Sequence, residues 1–133
     1  MAEVNLASVA TIIPGNLGWN LTNSTGIKFT VTAEYVVKIN TIIAANVDGT
    51  ADATVDVHIA GMGAGATGLA DGTVSTHEGD ATVYIAKGIN VPAGSSLVLL
   101  SNPIYLMEGD TLKSVASATG DIDLFVSYET LLD

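Results

Sequence analysis

Two histidines, one glycine run and a scatter of turn aspartates are the residues of this 133-residue chain whose types could do chemistry. His58 and His77 are the histidines, and there is no cysteine. A zinc site gathers three or four N, S or O ligands. Neither an H-x-H nor an H-E-x-x-H spacing occurs, so a metal-bound pair is the weaker reading. His58 reads as a solvated residue on the polar face of a strand. His77 reads as a solvated loop residue beside Glu78 and Asp80. The run Gly63-Ala64-Gly65-Ala66-Thr67-Gly68 matches G-x-G-x-x-G. That fingerprint holds a pyrophosphate only where a helix N-terminus follows the glycines. Here Leu69 to Asp80 is rich in Gly, Thr and Asp and carries no amphipathic stripe. The run therefore reads as a surface loop or a subunit contact.

Asp48, Asp52, Asp110, Asp121 and Asp123 fall at expected turns and strand ends. Calcium draws several oxygens from converging loops, and a Ca²⁺ at one end of a sandwich would use such carboxylates. The EF-hand pattern is absent, and local Asx-turns account for each aspartate. A Ser/His/Asp triad cannot be judged from composition alone, but no G-x-S-x-G elbow occurs and neither histidine has a catalytic context. One Trp and 5% aromatic residues leave few platforms for a sugar. A small hydrolase would converge His and carboxylates in a cleft. A host-glycan-binding module would show an aromatic groove near Tyr84 or Tyr105. Both are weaker readings than a non-enzymatic one, and no catalytic residue, metal ligand or cofactor is assigned.

The elements that would position these groups follow from composition. The residues are 48% hydrophobic and 14% charged, enough apolar material for one core. Abundant Gly, Thr, Ala and Val favour strands and turns. The low charged fraction suggests that neighbours cover part of the surface. The net charge is −10, with four basic residues, all Lys. Phosphate contacts need Lys and Arg to release counterions, so no nucleic acid and no anionic membrane partner is expected. Met1 to Ala10 lacks a basic start and a long apolar stretch, unlike a signal peptide. No apolar run approaches the roughly 20 residues that span a bilayer. Synthesis in a cytoplasm is the expectation.

Along the chain, Ala7 to Ile13 predicts a first strand stopped by Pro14-Gly15. Asn16 to Gly26 carries five turn-formers and predicts an arm or long loop, with an edge strand plus loop as the equal alternative. Residues 1–26 are thus set apart from a β-sandwich domain over 27–133. Ile27, Phe29 and Val31 alternate with Lys28, Thr30 and Thr32, the period of a half-buried strand. Glu34 to Val47 places Tyr35, Val37, Ile39, Thr41 and Ile43 on one face. Val55, Val57 and Ile59 oppose Asp56 and His58. After a glycine-rich excursion from Gly61 to Gly79, Val83, Ile85, Ile89 and Val91 resume a strand. Leu97 to Leu100 reads as covered on both faces. Ile104 to Met107, Thr111 to Ala118, and the inward set Ile122, Leu124, Val126 and Tyr128 complete the series. Roughly eight short strands without helix predict an all-β fold: a single antiparallel β-sandwich of jelly-roll-like form.

The C-terminal half carries a recognisable series. It reads Val91-Pro92-Ala93-Gly94-Ser95-Ser96-Leu97, then Leu106-Met107-Glu108-Gly109-Asp110-Thr111-Leu112, then Asp123-Leu124-Phe125-Val126-Ser127-Tyr128-Glu129. This resembles the small structural proteins of tailed bacteriophages, above all the head-decoration, neck and tail accessory proteins of marine and cyanobacterial phages. The resemblance covers about Val37 to Glu129 and is clearest after Gly88. The glycine-rich excursion is longer than that type carries. The resemblance implies a virion protein that decorates (cements) the assembled head and binds the major capsid protein or other virion proteins. It implies a homo-oligomer, with a trimer at local three-fold positions first. Neck or tail accessory placement is the alternative. Contacts are expected from the N-terminal region, with Trp19, Leu17 and Leu21 as interface side chains. For Trp19 the competing reading is a cap on its own core.

Overall fold

The computed structural model describes residues 6–61 and 82–132. A 3₁₀ turn at Leu6–Ser8 precedes nine strands. They are β1 (Thr11–Asn20), β2 (Gly26–Thr30), β3 (Val36–Asn46), β4 (Ala53–Ala60), β5 (Thr82–Val91), β6 (Ser96–Leu100), β7 (Ile104–Leu106), β8 (Thr111–Ala116) and β9 (Ile122–Leu132). The antiparallel pairs β1·β9, β2·β8, β3·β6, β3·β7 and β4·β5 are nested one inside the next. Two further pairs, β3·β9 and β4·β8, fold that long hairpin over on itself. The result is one sheet in the order β1-β9-β3-β6, with β7 also on β3, facing another in the order β2-β8-β4-β5. That nested order is a jelly roll.

Each sheet turns one face inward. Val55, Val57 and Ile59 on β4 meet Ile39, Ile42 and Ala44 on β3 and Ile122, Leu124 and Val126 on β9, all buried in one core. Burying a Val, Leu or Ile side chain fully contributes about 1.5–3 kcal/mol, so this stripe drives the two sheets together. On β3 the inward set is not the one that unbroken alternation gives. The register shifts between Ile39 and Thr41. That bulge moves the inward positions from Val37 and Ile39 to Ile42, Ala44 and Asn46, and turns Ile43 outward.

Two further expectations are corrected. The first strand does not stop at Pro14-Gly15 but runs from Thr11 to Asn20, paired with β9 along its length. β1 is an edge strand, and an edge tolerates a proline whose nitrogen faces away from the neighbour. Leu97 to Leu100 is not covered on both faces: β6 is also an edge, and Val98 is 59% exposed. The strand expected over Thr82 to Val91 is present as β5, with Val83 43% and Ile89 37% exposed, since β5 is the edge of its own sheet and is bulged.

Candidate assembly surfaces

The outer face of the β2-β8-β4-β5 sheet carries one cluster of titratable groups. His58 on β4 has Lys113 of β8 and Tyr84 of β5 as its cross-strand partners. Its ring lies 4.8 Å from the Tyr84 ring. Next to it, Lys87 Nζ lies 3.1 Å from Asp56 Oδ2 and 4.6 Å from the centre of the Tyr84 ring. Asp56 Oδ1 also accepts from the Gly88 N–H at 2.6 Å. The position of His58 on the outer face is the expected one, but its solvation is not. Flanking side chains leave it 6% exposed, and Nδ1 is buried with no hydrogen-bond partner. Burial first, then Lys113, lowers its pKa. Burial pushes Asp56 up, but the Gly88 N–H and Lys87 outweigh it and its pKa is lowered. The contact with Asp56 raises that of Lys87. A neutral imidazole under a tyrosine ring is a packing element here. His77 and the Gly63–Gly68 run lie outside the described residues.

Of the turn aspartates, Asp48 and Asp110 accept from groups within their own turns, while Asp52 and Asp123 accept from residues distant in the chain. Asp48 accepts from the Thr50 hydroxyl and N–H, which lowers its pKa. Asp52 accepts from the Ala93 N–H and from Asn90, with the same effect. Asp123 accepts from Asn20 at 2.7 Å. Asp110 holds the β7–β8 turn by accepting from the Met107 N–H, yet burial outweighs that bond and raises its pKa. Among the described residues no group of three or more His, Asp or Glu is gathered to hold a metal.

A cleft of about 370 Å³ opens on the side where β1 and β2 edge their sheets. Leu17, Phe29, Tyr35, Val37 and Tyr128 supply its apolar and aromatic walls. The Phe29 and Tyr128 rings stack across it at 6.2 Å, a contact worth about 1 kcal/mol beyond area burial. Tyr84 and Tyr105, near which the weaker glycan-binding reading would place a groove, do not line it. The three N-terminal residues expected at an interface are placed differently from one another. Leu17 is half-buried in the cleft wall. Trp19 packs half-buried against its own core, with Lys28 Nζ 5.7 Å from its ring centre. Leu21 is 1% exposed within the core and offers no side chain to a partner.

The outer face of the β1-β9-β3-β6 sheet escaped the sequence reading. Gly18, Phe125, Ile43 and Val98 stand in register across four strands. Phe125 is 40% and Val98 59% exposed. Ser127 and Thr41 border the row on one side, and Ala45 and Ser96 on the other. One charge, Asp123, stands in that second border as the cross-strand partner of Ala45, and the pair Lys38 and Glu129 lies farther out beyond Ser127 and Thr41. The bulge on β3 creates this row by turning Ile43 outward, so unbroken alternation could not reveal it.

No family model matches this sequence, and no curated protein matches it. A solved structure is similar: that of Bacillus endospore appendages, described as a novel family of disulfide-linked pili. It shares 17% identity and a TM-score of 0.42 over 98% of this chain and 100% of that one.

Proposed function

We propose that this chain is a non-enzymatic structural subunit of a larger particle, and that the particle is a tailed-phage virion whose head it decorates. One observation carries the structural role. A chain of net charge −10 keeps an uncharged apolar row across one whole sheet, with Phe125 and Val98 open to solvent. An exposed apolar band with a polar rim, here Thr41, Ser127, Ser96 and Asp123, is the anatomy of a protein contact. The phage assignment rests on the VPAG-S, L-x-EGD-x-L and D-x-x-V-S-Y-E series of the C-terminal half. In this reading the row seats on the capsid protein lattice. A subunit that binds only the assembled shell shifts the equilibrium toward it by mass action.

Co-sedimentation with empty heads tests this. The wild-type chain pellets with the shells, and Val98→Asp, which sets a charge in the row, stays in the supernatant. A wild-type chain that never pellets overturns the decoration reading. A neck or tail position would use the same surface, and labelling the subunit in electron micrographs separates the two placements.

A further inference from the structure

The four sheet edges of this sandwich are unequal. β2 is five residues long and shifts register between Ile27 and Phe29. β5 shifts register twice against β4, beside a positive-φ Gly88. The edge opposite β1 is divided between β6 and β7, and β6 shifts register between Ile42 and Ile43 of its neighbour. Bulges and short strands are how sandwiches keep other chains off their edges. β1 has neither: its ten residues pair with β9 in unbroken register. Its sequence, Thr11 to Asn20, holds no charged residue in a chain of net charge −10. The nearest charges, Asp123 and Glu129 on β9 and Lys28 on β2, sit on neighbouring strands. Two copies of this acidic chain can therefore approach along β1 with less repulsion than elsewhere.

Among the described residues no strand pairs with β1 on the side away from β9. The Leu21 N–H bonds to the Ile122 carbonyl just beyond the strand. By the alternation of antiparallel pairs, odd residues of β1 bond to β9 and even residues face the open side. Pro14 is even, so the missing N–H falls on the open side: it costs the β1·β9 ladder nothing, but it removes one donor from any strand that pairs there, and Asn16→Pro would remove a second. Ile12, Asn16, Gly18 and Asn20 keep their N–H and C=O groups on that side. Ile12 is 58% and Ile13 51% exposed at the end of the strand. Ile13 pairs with Thr130, which lines the cleft, so it shares the face that opens into the cleft.

We infer that β1 pairs with β1 of a second copy, antiparallel and about a two-fold axis, joining two sheets into one and setting Ile13 of each copy at the cleft mouth. The inference adds to the proposed function a way for subunits to join. A three-fold ring would instead seat β1 on a different edge of the next copy, and those edges are bulged.

The test is sedimentation velocity of the full chain at increasing concentration, with three proteins compared. The wild-type chain moves to twice the chain mass. Asn16→Pro removes an open-side N–H while leaving the β9 ladder intact, and it stays monomeric with an unchanged far-UV spectrum. Asn16→Lys keeps the backbone and adds a charge, and it weakens association at least tenfold, so the question is decided even where the proline variant fails to fold. A wild-type chain that stays monomeric, a trimer, or a dimer that both variants retain overturns the edge pairing. Co-sedimentation with empty heads is read separately, so a monomer that still pellets sinks this inference and leaves the proposed function standing.

Discussion

The Tyr128 ring occupies the place where a side chain at Gly15 would stand. A Cβ built on Gly15 would lie 2.5 Å from both Cζ and the hydroxyl oxygen of its cross-strand partner. Gly15 is thus what lets the aromatic wall of the cleft lie flat against β1, stacked on Phe29. Gly15→Ala must push that ring aside, and overpacking of this kind costs about 1–3 kcal/mol. Gly18→Ala, three residues along, meets only a carbonyl oxygen at 3.7 Å. Its expected change is within about 0.5 kcal/mol. Urea unfolding of the two variants checks the contrast, and equal losses would remove the role assigned to Gly15.

Asn46 ties three segments together from a buried position. Its Nδ2 donates to the carbonyls of Ala51 and Val91, both at 2.9 Å, and its Oδ1 accepts from the Asp48 N–H at 2.9 Å. Asn46→Ala leaves these groups without partners at the end of the sandwich, and each buried orphan costs about 1–3 kcal/mol. The expected loss is about 3 kcal/mol in total. Asn46→Asp keeps the acceptor but loses both donors and adds a charge, so it should be no better. Chemical denaturation of both variants measures this.

His58 makes stability depend on pH on the acid side. Burial and the nearby Lys113 and Lys87 lower its pKa in the folded chain, while Asp56 opposes them. The folded state therefore prefers the neutral ring. The contribution of His58 is fully present above its ordinary value of 6.5 and is lost as pH falls below that value. His58→Leu removes both the charge and the orphaned Nδ1. The variant should hold its Tm better than the wild-type chain as pH is lowered from about 6.5 toward 5. Parallel melting curves for the two proteins would contradict this.

The strand periodicity of Val55 to Ile59 and Ile122 to Val126 was legible because those segments alternate without interruption, whereas in β2 a bulge between Ile27 and Phe29 turns Ile27 outward, 63% exposed. The face of β3 was not, because a single bulge after Ile39 inverts every later position. Pro14-Gly15 looked like a stop because a proline interrupts a central strand. Only the sheet order shows that β1 is an edge, where the missing N–H is harmless. His58 was placed on the correct face but judged solvated, since alternation says nothing about the Tyr84 and Lys113 side chains beside it. The apolar row sets Ile43 between Val98 and Phe125, each more than fifty positions from it in the chain, a juxtaposition that only the pairing register reveals.

The central claim is that the β1-β9-β3-β6 face is a contact surface of an assembled particle. Electron cryo-microscopy of empty phage heads incubated with the purified chain addresses it directly. The account predicts jelly-roll density on the shell with Phe125, Ile43 and Val98 turned against the capsid lattice. Bare shells, or a bound sandwich that presents this row to solvent, would contradict it.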